Sequence, residues 1–369
     1  MTAHRSDIIV LGAGTIGLFT ALNLARCGRR VVVLERAIPW SEASGVNAGS
    51  LGVQNKLTPL VPYAIAAFAI WEDLARQLGC DIGYHRTGGY KIAMSPEQED
   101  RLRASFDAQR DAGLDAQWKT ARELRDEAPW LSDAVVAASF CESDGHASPI
   151  CLGPALVEAV RREQVRLVEG VQILNIEAAG SVSIESTGET FAADELVIAT
   201  GAWSGRVAAM LGVTLPVSLD VNMVSVTEPA PLTVGKIVTH AHGILTVKQV
   251  ANGCCLIGGG WQGIGTLDSM AKEIDFDQLI HNLILARQAL PGLSRLHLLR
   301  SWAGYEGVSP DSLPYLGRLP GRDNIYMAAC ARGGFTLAPL LGKLLAELIV
   351  EGRASMAIDD FNPGRFAHA

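Results

Sequence analysis

Hydrophobic and polar positions change period several times along the chain, and each change marks an element. Asp7 to Leu11 is a short apolar run of the kind buried in a parallel sheet. Gly12, Gly14 and Gly17 follow, opening a helical pattern over Ile16 to Cys27, which Gly28 stops as a residue just past a helix end does. A second strand, Val31 to Leu34, ends at Glu35. Farther on, Ser95 to Gly113 and Thr120 to Ala128 predict helices charged on one face, and Leu152 to Arg162 another with Pro154 early in it. Val165 to Ile176 and Val182 to Phe191 alternate as strands, and Glu195 to Ala199 is again a buried strand. Val217 to Thr227, Gly243 to Val250 and Cys254 to Ile257 read as antiparallel strands separated by Pro, Asn and Gly turns. Leu337 to Val350 predicts a strong terminal helix with Gly352 beyond it. The 369 residues contain no repeat and no low-complexity linker.

The first of these segments carries chemistry. Gly12, Gly14 and Gly17 have the G-x-G-x-x-G spacing, placed after a strand, at the start of a helix, and followed about twenty residues later by an acid. Gly12 permits the tight turn, Gly14 lets the backbone approach a pyrophosphate, and Gly17 lets helix and strand pack closely. Free N–H groups at the helix start favour phosphate, and Glu35 can accept both ribose hydroxyls while repelling a 2′-phosphate. This is a dinucleotide site that argues against NADP.

Composition narrows the alternatives. Hydrophobic residues make up 49% of the chain and charged residues 19%, as in an ordinary folded protein, and the net charge of -8 with no basic patch argues against a nucleic-acid partner. Cys27, Cys80, Cys141, Cys151, Cys254, Cys255 and Cys330 form no C-x-x-C pair and no metal-ligand spacing, which fits a reducing cytoplasm. His240 and His242 share a strand face but lack a third nearby ligand, so no metal site is expected. Leu57 to Trp71 is the longest apolar run; Pro59 and Pro62 break it, and it is too short to span a bilayer. A buried helix is the expectation there, with contact to a membrane surface or a partner as the alternative. Met1 to Asp7 contain an acid and lead straight into a strand, so no signal peptide is expected.

Four segments, the N-terminal unit through Glu35, Ser41 to Leu51 (SEASGVNAGSL), Leu196 to Ser204 (LVIATGAWS) and Ser301 to Leu345, lie in an order that resembles the D-amino-acid oxidase-like family of FAD enzymes. The resemblance spans essentially the whole chain. It implies an α/β protein in which a Rossmann-type FAD-binding domain (1–84, 145–215 and 300–369) is interleaved with an α+β substrate domain (85–144 and 216–299) built on an antiparallel sheet. FAD is expected against Gly12, Ala13, Gly14, Thr15, Ile16 and Gly17, then Glu35 and Arg36. Ser44, Asn47, Ala48, Gly49 and Leu51 would run close to the pyrophosphate and under the flavin, Ser44 and Asn47 donating hydrogen bonds. Val171, Thr200, Gly201, Trp203 and Gly304 complete the expected contacts, and Gly333, Gly334, Phe335 and Thr336 would bring helix N–H groups to the flavin pyrimidine oxygen.

Family enzymes oxidise a C–N bond by passing hydride to flavin N5, so no catalytic triad is expected. Arg332 occupies a position resembling a carboxylate anchor, whereas a second family arginine is replaced by Glu306, which would repel a simple carboxylate and attract a cation. Trp261 and Ser50 fall where residues lining the flavin face would lie. Relatives that attach flavin covalently use a cysteine near position 304, which is glycine here, so non-covalent FAD is expected. The oxygen-activating lysine of sarcosine oxidases is not evident, Lys248 being poorly placed, and an acceptor other than O2 is the corresponding expectation. Within the family the chain is similar to the flavin-bearing chains of bacterial opine oxidases. That implies an opine such as octopine or nopaline as substrate and, since the chain has no iron–sulfur ligand set, a second, electron-accepting subunit. The alternatives are a stand-alone D-amino acid or glycine oxidase or dehydrogenase, a non-catalytic flavin relay subunit and, most remotely, an RNA-modifying flavoprotein.

Overall fold

The computed structural model describes residues 4–231 and 234–366; Met1 to Ala3, part of the segment read as lacking a signal peptide, lie outside the described residues. The first apolar strand, β1 (His4–Leu11), pairs in parallel with β2 (Val31–Leu34) on one side and with Thr190–Ile198 on the other. Ile325–Ala329 and Arg166–Val168 extend these to five parallel strands, and Tyr315–Arg318 closes one edge antiparallel. The apolar runs of β1 and β2 are buried because helices cover the sheet: α1 (Thr15–Arg26) and the terminal helix Gly334–Glu351 lie in the same core cluster as Val10, Val33 and Val197. Gly28, in the left-handed region, ends α1 with its N–H on Ala25 O, as the sequence predicts.

Some predicted boundaries move. Val182 to Phe191 and Glu195 to Ala199 are a hairpin arm, Ser181–Ser186, and one strand, Thr190–Ile198, the turn falling at 187–189. Val165 to Ile176 is two strands, split where Gly170 takes a positive φ. The helix expected from Leu152 begins at Pro149, so Pro154 sits inside it rather than at its start. Leu57 to Trp71 does fold into a buried helix, Val61–Leu78, preceded by one 3-10 turn, with Val61, Ala64, Phe68 and Trp71 in the core. Among the described residues no helix is long and apolar enough to cross a membrane.

The second sheet has eight strands in the order Leu298–Val308, Ser218–Thr227, Cys255–Gly258, Thr246–Gln249, Ile237–His240, Gly89–Ala93, Ala137–Cys141 and Gln117–Thr120. Its pairs are antiparallel, as the expected substrate domain requires, except Ile237–His240 with Gly89–Ala93, which is parallel. The sheet takes in residues to Val308, past the boundary expected near 299. One face, through Tyr90, Val238, Val247 and Ile257, packs on Ala286 and Ala289 of helix Phe276–Ala289. The other face looks back toward the parallel sheet. Helix Ala121–Glu127 starts with a capping box, Thr120 Oγ1 accepting from Glu123 N–H and Glu123 accepting from Thr120 N–H. Thr120→Ala is expected to lower stability by about 1 kcal/mol, read as a shift of the denaturation midpoint at unchanged slope; an unmoved midpoint would show the cap to be idle.

Candidate active site

A cavity of about 1390 Å3 runs between the carboxyl ends of the parallel strands and the inner face of the second sheet. It begins where β1 meets Thr190–Ile198, the point at which the strand order reverses and where ligands bind in open α/β sheets. Gly12 turns the chain here with φ +98°, and any Cβ on it would stand 2.5 Å from Ala199 O. Gly17 packs rather than lines, because a Cβ there would meet Gly12 O at 2.1 Å. Gly14, Thr15, Ile16, Glu35 and Arg36 line the same end, as do Val171, Thr200, Gly201 and Trp203. Arg36 stacks over the Trp203 ring at 4.2 Å. Glu35 accepts from Ala13 N–H at 2.8 Å and from Ala37 N–H at 2.9 Å, and each carboxylate oxygen keeps further acceptor capacity toward the cavity.

The middle of the cavity is formed by Ser44 and by Asn47 to Ser50, with Gly304 opposite. Ser44 Oγ accepts from Thr15 N–H at 2.8 Å, so one helix N–H is already capped while the hydroxyl proton stays available. Asn47 does not offer the donor expected of it. Both its amide hydrogens go to Ala43 O and Ser44 O, and its oxygen takes Gly49 N–H, so it shapes the loop. Leu51 and Thr336 also leave the set of cofactor contacts: both are fully buried, Leu51 in the core and Thr336 with its carbonyl accepting from Trp71 Nε1 at 2.8 Å. A Cβ at Gly304 would stand 2.1 Å from Val46 Cγ2, so a cysteine at that position would collide with Val46. Cys330 lines the cavity, but burial pushes its thiol up to about 12 and keeps it protonated.

At the far end, Arg332, Glu306, Asn222 and Lys56 converge on Gly333, which together with Gly334 and Phe335 opens the terminal helix. Glu306 accepts Gly333 N–H at 3.1 Å and a second bond from Asn222 Nδ2. Lys56 Nζ donates to Gly333 O at 2.6 Å. Arg332 lies 3.8 Å from Asp220. Burial raises the pKa of Glu306, against the lowering pull of the Gly333 bond, Arg332 and Lys56; Lys56 is lowered to about 8, also by burial. Lys56, Asn222 and Asp220 were not among the residues expected from sequence. The segment bearing Lys56 is held by Gln109, whose amide donates to Gln54 O and Lys56 O, and by buried Asp144, which accepts from Val53 N–H and Gln54 Nε2. Trp261 is not brought to this site. Its indole donates to Ile244 O and the ring stacks on His281, outside the cavity wall.

The residues fit a dinucleotide. Ser50 Oγ, on the cavity wall, and Thr15 Oγ1, at the start of α1, are buried without protein partners, which is the condition of polar atoms that await a ligand. The glycine cradle, the helix start and Glu35 supply the remaining recognition, and the cavity extends past them to a charged end. Among the described residues no three His, Cys, Asp or Glu side chains gather as metal ligands; His240 and His242 stack on each other, His240 Nε2 meeting Gln98.

Fold and cavity together define a flavoprotein-type oxidoreductase in which a dinucleotide reaches from the parallel sheet to a polar pocket on the second sheet. The chain belongs to the DAO family, FAD dependent oxidoreductase, whose model matches residues 7–348. It is 32% identical to a glycine oxidase of Geobacillus kaustophilus (strain HTA426), with 97% of each chain covered, and 25% identical to one subunit of the opine oxidase of Rhizobium meliloti, with 98% of each covered. The solved glycine oxidase from Geobacillus kaustophilus superposes with a TM-score of 0.92 at 29% identity, over 98% of this chain and 99% of that one. The chain is therefore an FAD-dependent enzyme acting on amine or amino-acid donors.

Proposed function

We propose that this enzyme oxidises the secondary-amine C–N bond of an N-(carboxyalkyl) amino acid of the opine class, cleaving octopine to arginine and pyruvate. The observation that carries this reading is the presence of Arg332 and Glu306 at one end of the cavity, Glu306 accepting the Gly333 N–H and feeling the charge of Arg332. Arg332 can fork onto a carboxylate, while Glu306 stands ready for a cationic group, so a zwitterionic substrate with a second cation is favoured over a simple amino acid. The names of relatives agree in chemistry: one is an opine oxidase subunit and another the beta chain of a sarcosine oxidase, both named for N-substituted amino acids.

Residues 1–84, 145–215 and 300–369 would hold FAD without a covalent bond, Gly12, Gly14 and Glu35 taking the ADP part, and residues 85–144 and 216–299 would shape the substrate pocket. The chemistry that bound FAD would supply is acceptance of a hydride, with its two electrons, from the substrate carbon. Arg332 holds the carboxylate, Glu306 orients the cationic end, and the wall formed by Ser50 and Gly49 keeps the reacting carbon off bulk water. The imine left on the substrate is hydrolysed, water supplying the pyruvate oxygen. A second, electron-accepting subunit in the cytoplasm completes the proposal, in keeping with relatives named as subunits.

The test is anaerobic bleaching of the bound flavin by octopine, nopaline and a panel of D- and N-methyl amino acids. Rapid bleaching by an opine alone supports the proposal; bleaching by glycine or D-amino acids alone replaces it with the stand-alone oxidase reading that the 32% identity favours. Glu306→Gln, which can still accept Gly333 N–H, is expected to weaken octopine binding about 10–150-fold, the worth of one hydrogen bond to a charged group. The sign of the pH effect follows from the raised pKa: wild-type affinity for the cation is full above it and is lost as pH falls through it, at higher pH than an ordinary glutamate would show. Unchanged octopine affinity in the variant would sink the assigned role of Glu306.

A further inference from the structure

Among the described residues one buried cation is left over once the cavity is described. Lys248 lies in strand Thr246–Gln249 and is 2% exposed. Its neighbour Val247 faces the helix-covered core, so strand alternation sends Lys248 to the opposite face, the one that carries Thr246 to the cavity. The ammonium reaches the back of Gly49, standing 3.2 Å from the position a Cβ on that residue would occupy. Gly49 and Ser50 line the cavity between its dinucleotide end and the Arg332 end.

Among the described residues the Lys248 side chain has neither a hydrogen bond nor an ion pair. The titratable group that feels it is His146, whose strand pairs with Ser50–Leu51 and whose ring is pushed down to about 3 by burial, by Lys248 and by His85. Among the described residues no anion compensates the amine, and burial alone lowers it to about 7. An uncompensated buried ammonium is costly; an arriving negative charge on the other side of Gly49 would remove that cost.

We infer that Lys248 is a proton-uptake site coupled to reduction of the flavin. Two electrons arrive at the flavin with the substrate hydride. Lys248 forms a new N–H bond with a proton drawn from solvent, and returns that proton to solvent when the electrons leave. It touches no substrate bond and acts through the charge it presents across one peptide layer. The inference needs FAD in the cavity and no particular substrate, so it stands or falls separately from the opine reading.

Linkage fixes the sign. Below about pH 7 the amine is protonated in both redox states and contributes no pH dependence. Above that, reduction takes up one more proton than it otherwise would, a tenfold change in equilibrium constant per pH unit, or about 30 mV for a two-electron couple. The experiment is the midpoint potential of the FAD-loaded protein by dye-coupled reduction between pH 6 and 9. The wild type is expected to fall more steeply above pH 7 than Lys248→Met by about 30 mV per unit. Lys248→Arg, permanently charged, should share the shallow slope of Lys248→Met but sit at higher potential. Equal slopes in wild type and Lys248→Arg overturn the inference, and that comparison decides the matter even if the methionine variant fails to fold.

Discussion

Gly17→Val should leave a colourless protein. A Cβ at this position would stand 2.1 Å from Gly12 O and 3.2 Å from Gly12 C, where real contacts do not fall below about 3 Å. Relief requires α1 to move off the turn that follows β1, and that turn is pinned from the other side by Ala199, whose O lies 2.5 Å from where a Gly12 Cβ would be. Overpacking of this kind costs about 3 kcal/mol. The same movement takes the helix start away from the pyrophosphate, so the stabilisation by bound FAD, about 2.7 kcal/mol at a hundredfold excess over its Kd, is lost as well. The two losses act on one element and need not add. The measurement is the flavin-to-protein absorbance ratio together with the melting temperature with and without added FAD. A yellow variant melting near the wild type would show that this packing is not what holds the cofactor.

The legibility of the sequence follows from how far apart the interacting residues lie. The dinucleotide turn is visible because strand, glycines, helix and Glu35 occupy one contiguous stretch, and each constrains its neighbours through the backbone. The substrate end is built from Lys56, Asn222, Glu306 and Arg332, brought together only by the pairing of Ser218–Thr227 with Leu298–Val308 and by the return of the terminal helix. Arg332 and Glu306 were found through the resemblance. Lys56 and Asn222 carry no local signal, because a lysine after a loop and an asparagine in a strand are ordinary surface residues until the fold closes over them. Leu51 and Thr336 fall one step away from the cavity: Ser50 faces it while Leu51, its alternate, faces the core, and the helix start that sets Gly333 and the edge of buried Phe335 on the cavity wall turns Thr336 inward. Trp261 lies away from the flavin face expected for it because Gly259 and Gly260, at φ +131° and +81°, redirect the chain just before it and its ring stacks on His281.

Arg332→Met should weaken binding of any carboxylate-bearing substrate about 100-fold while leaving the flavin in place. The guanidinium is half exposed in the cavity, with Asp220 at 3.8 Å, and Glu306 is close enough to feel its charge. Two acids face Arg332 and Lys56, so the pocket is near neutral as a whole, and a substrate carboxylate gains only if Arg332 swings onto it. That swing exchanges a long, water-exposed contact with Asp220 for a short forked one, which is why the arginine is worth more to the ligand than to the fold. Removing one partner of such a charge pair costs about 2–5 kcal/mol, and a loss of about 2.7 kcal/mol gives the hundredfold effect. Lysine at 332 should recover only part of it, since a point charge cannot fork. An amine ligand lacking the carboxylate is the control, and it should bind wild type and variant alike. If the flavin titrates with the carboxylate ligand equally well in both proteins, Arg332 is no anchor, and Lys56 becomes the cation to test in its place.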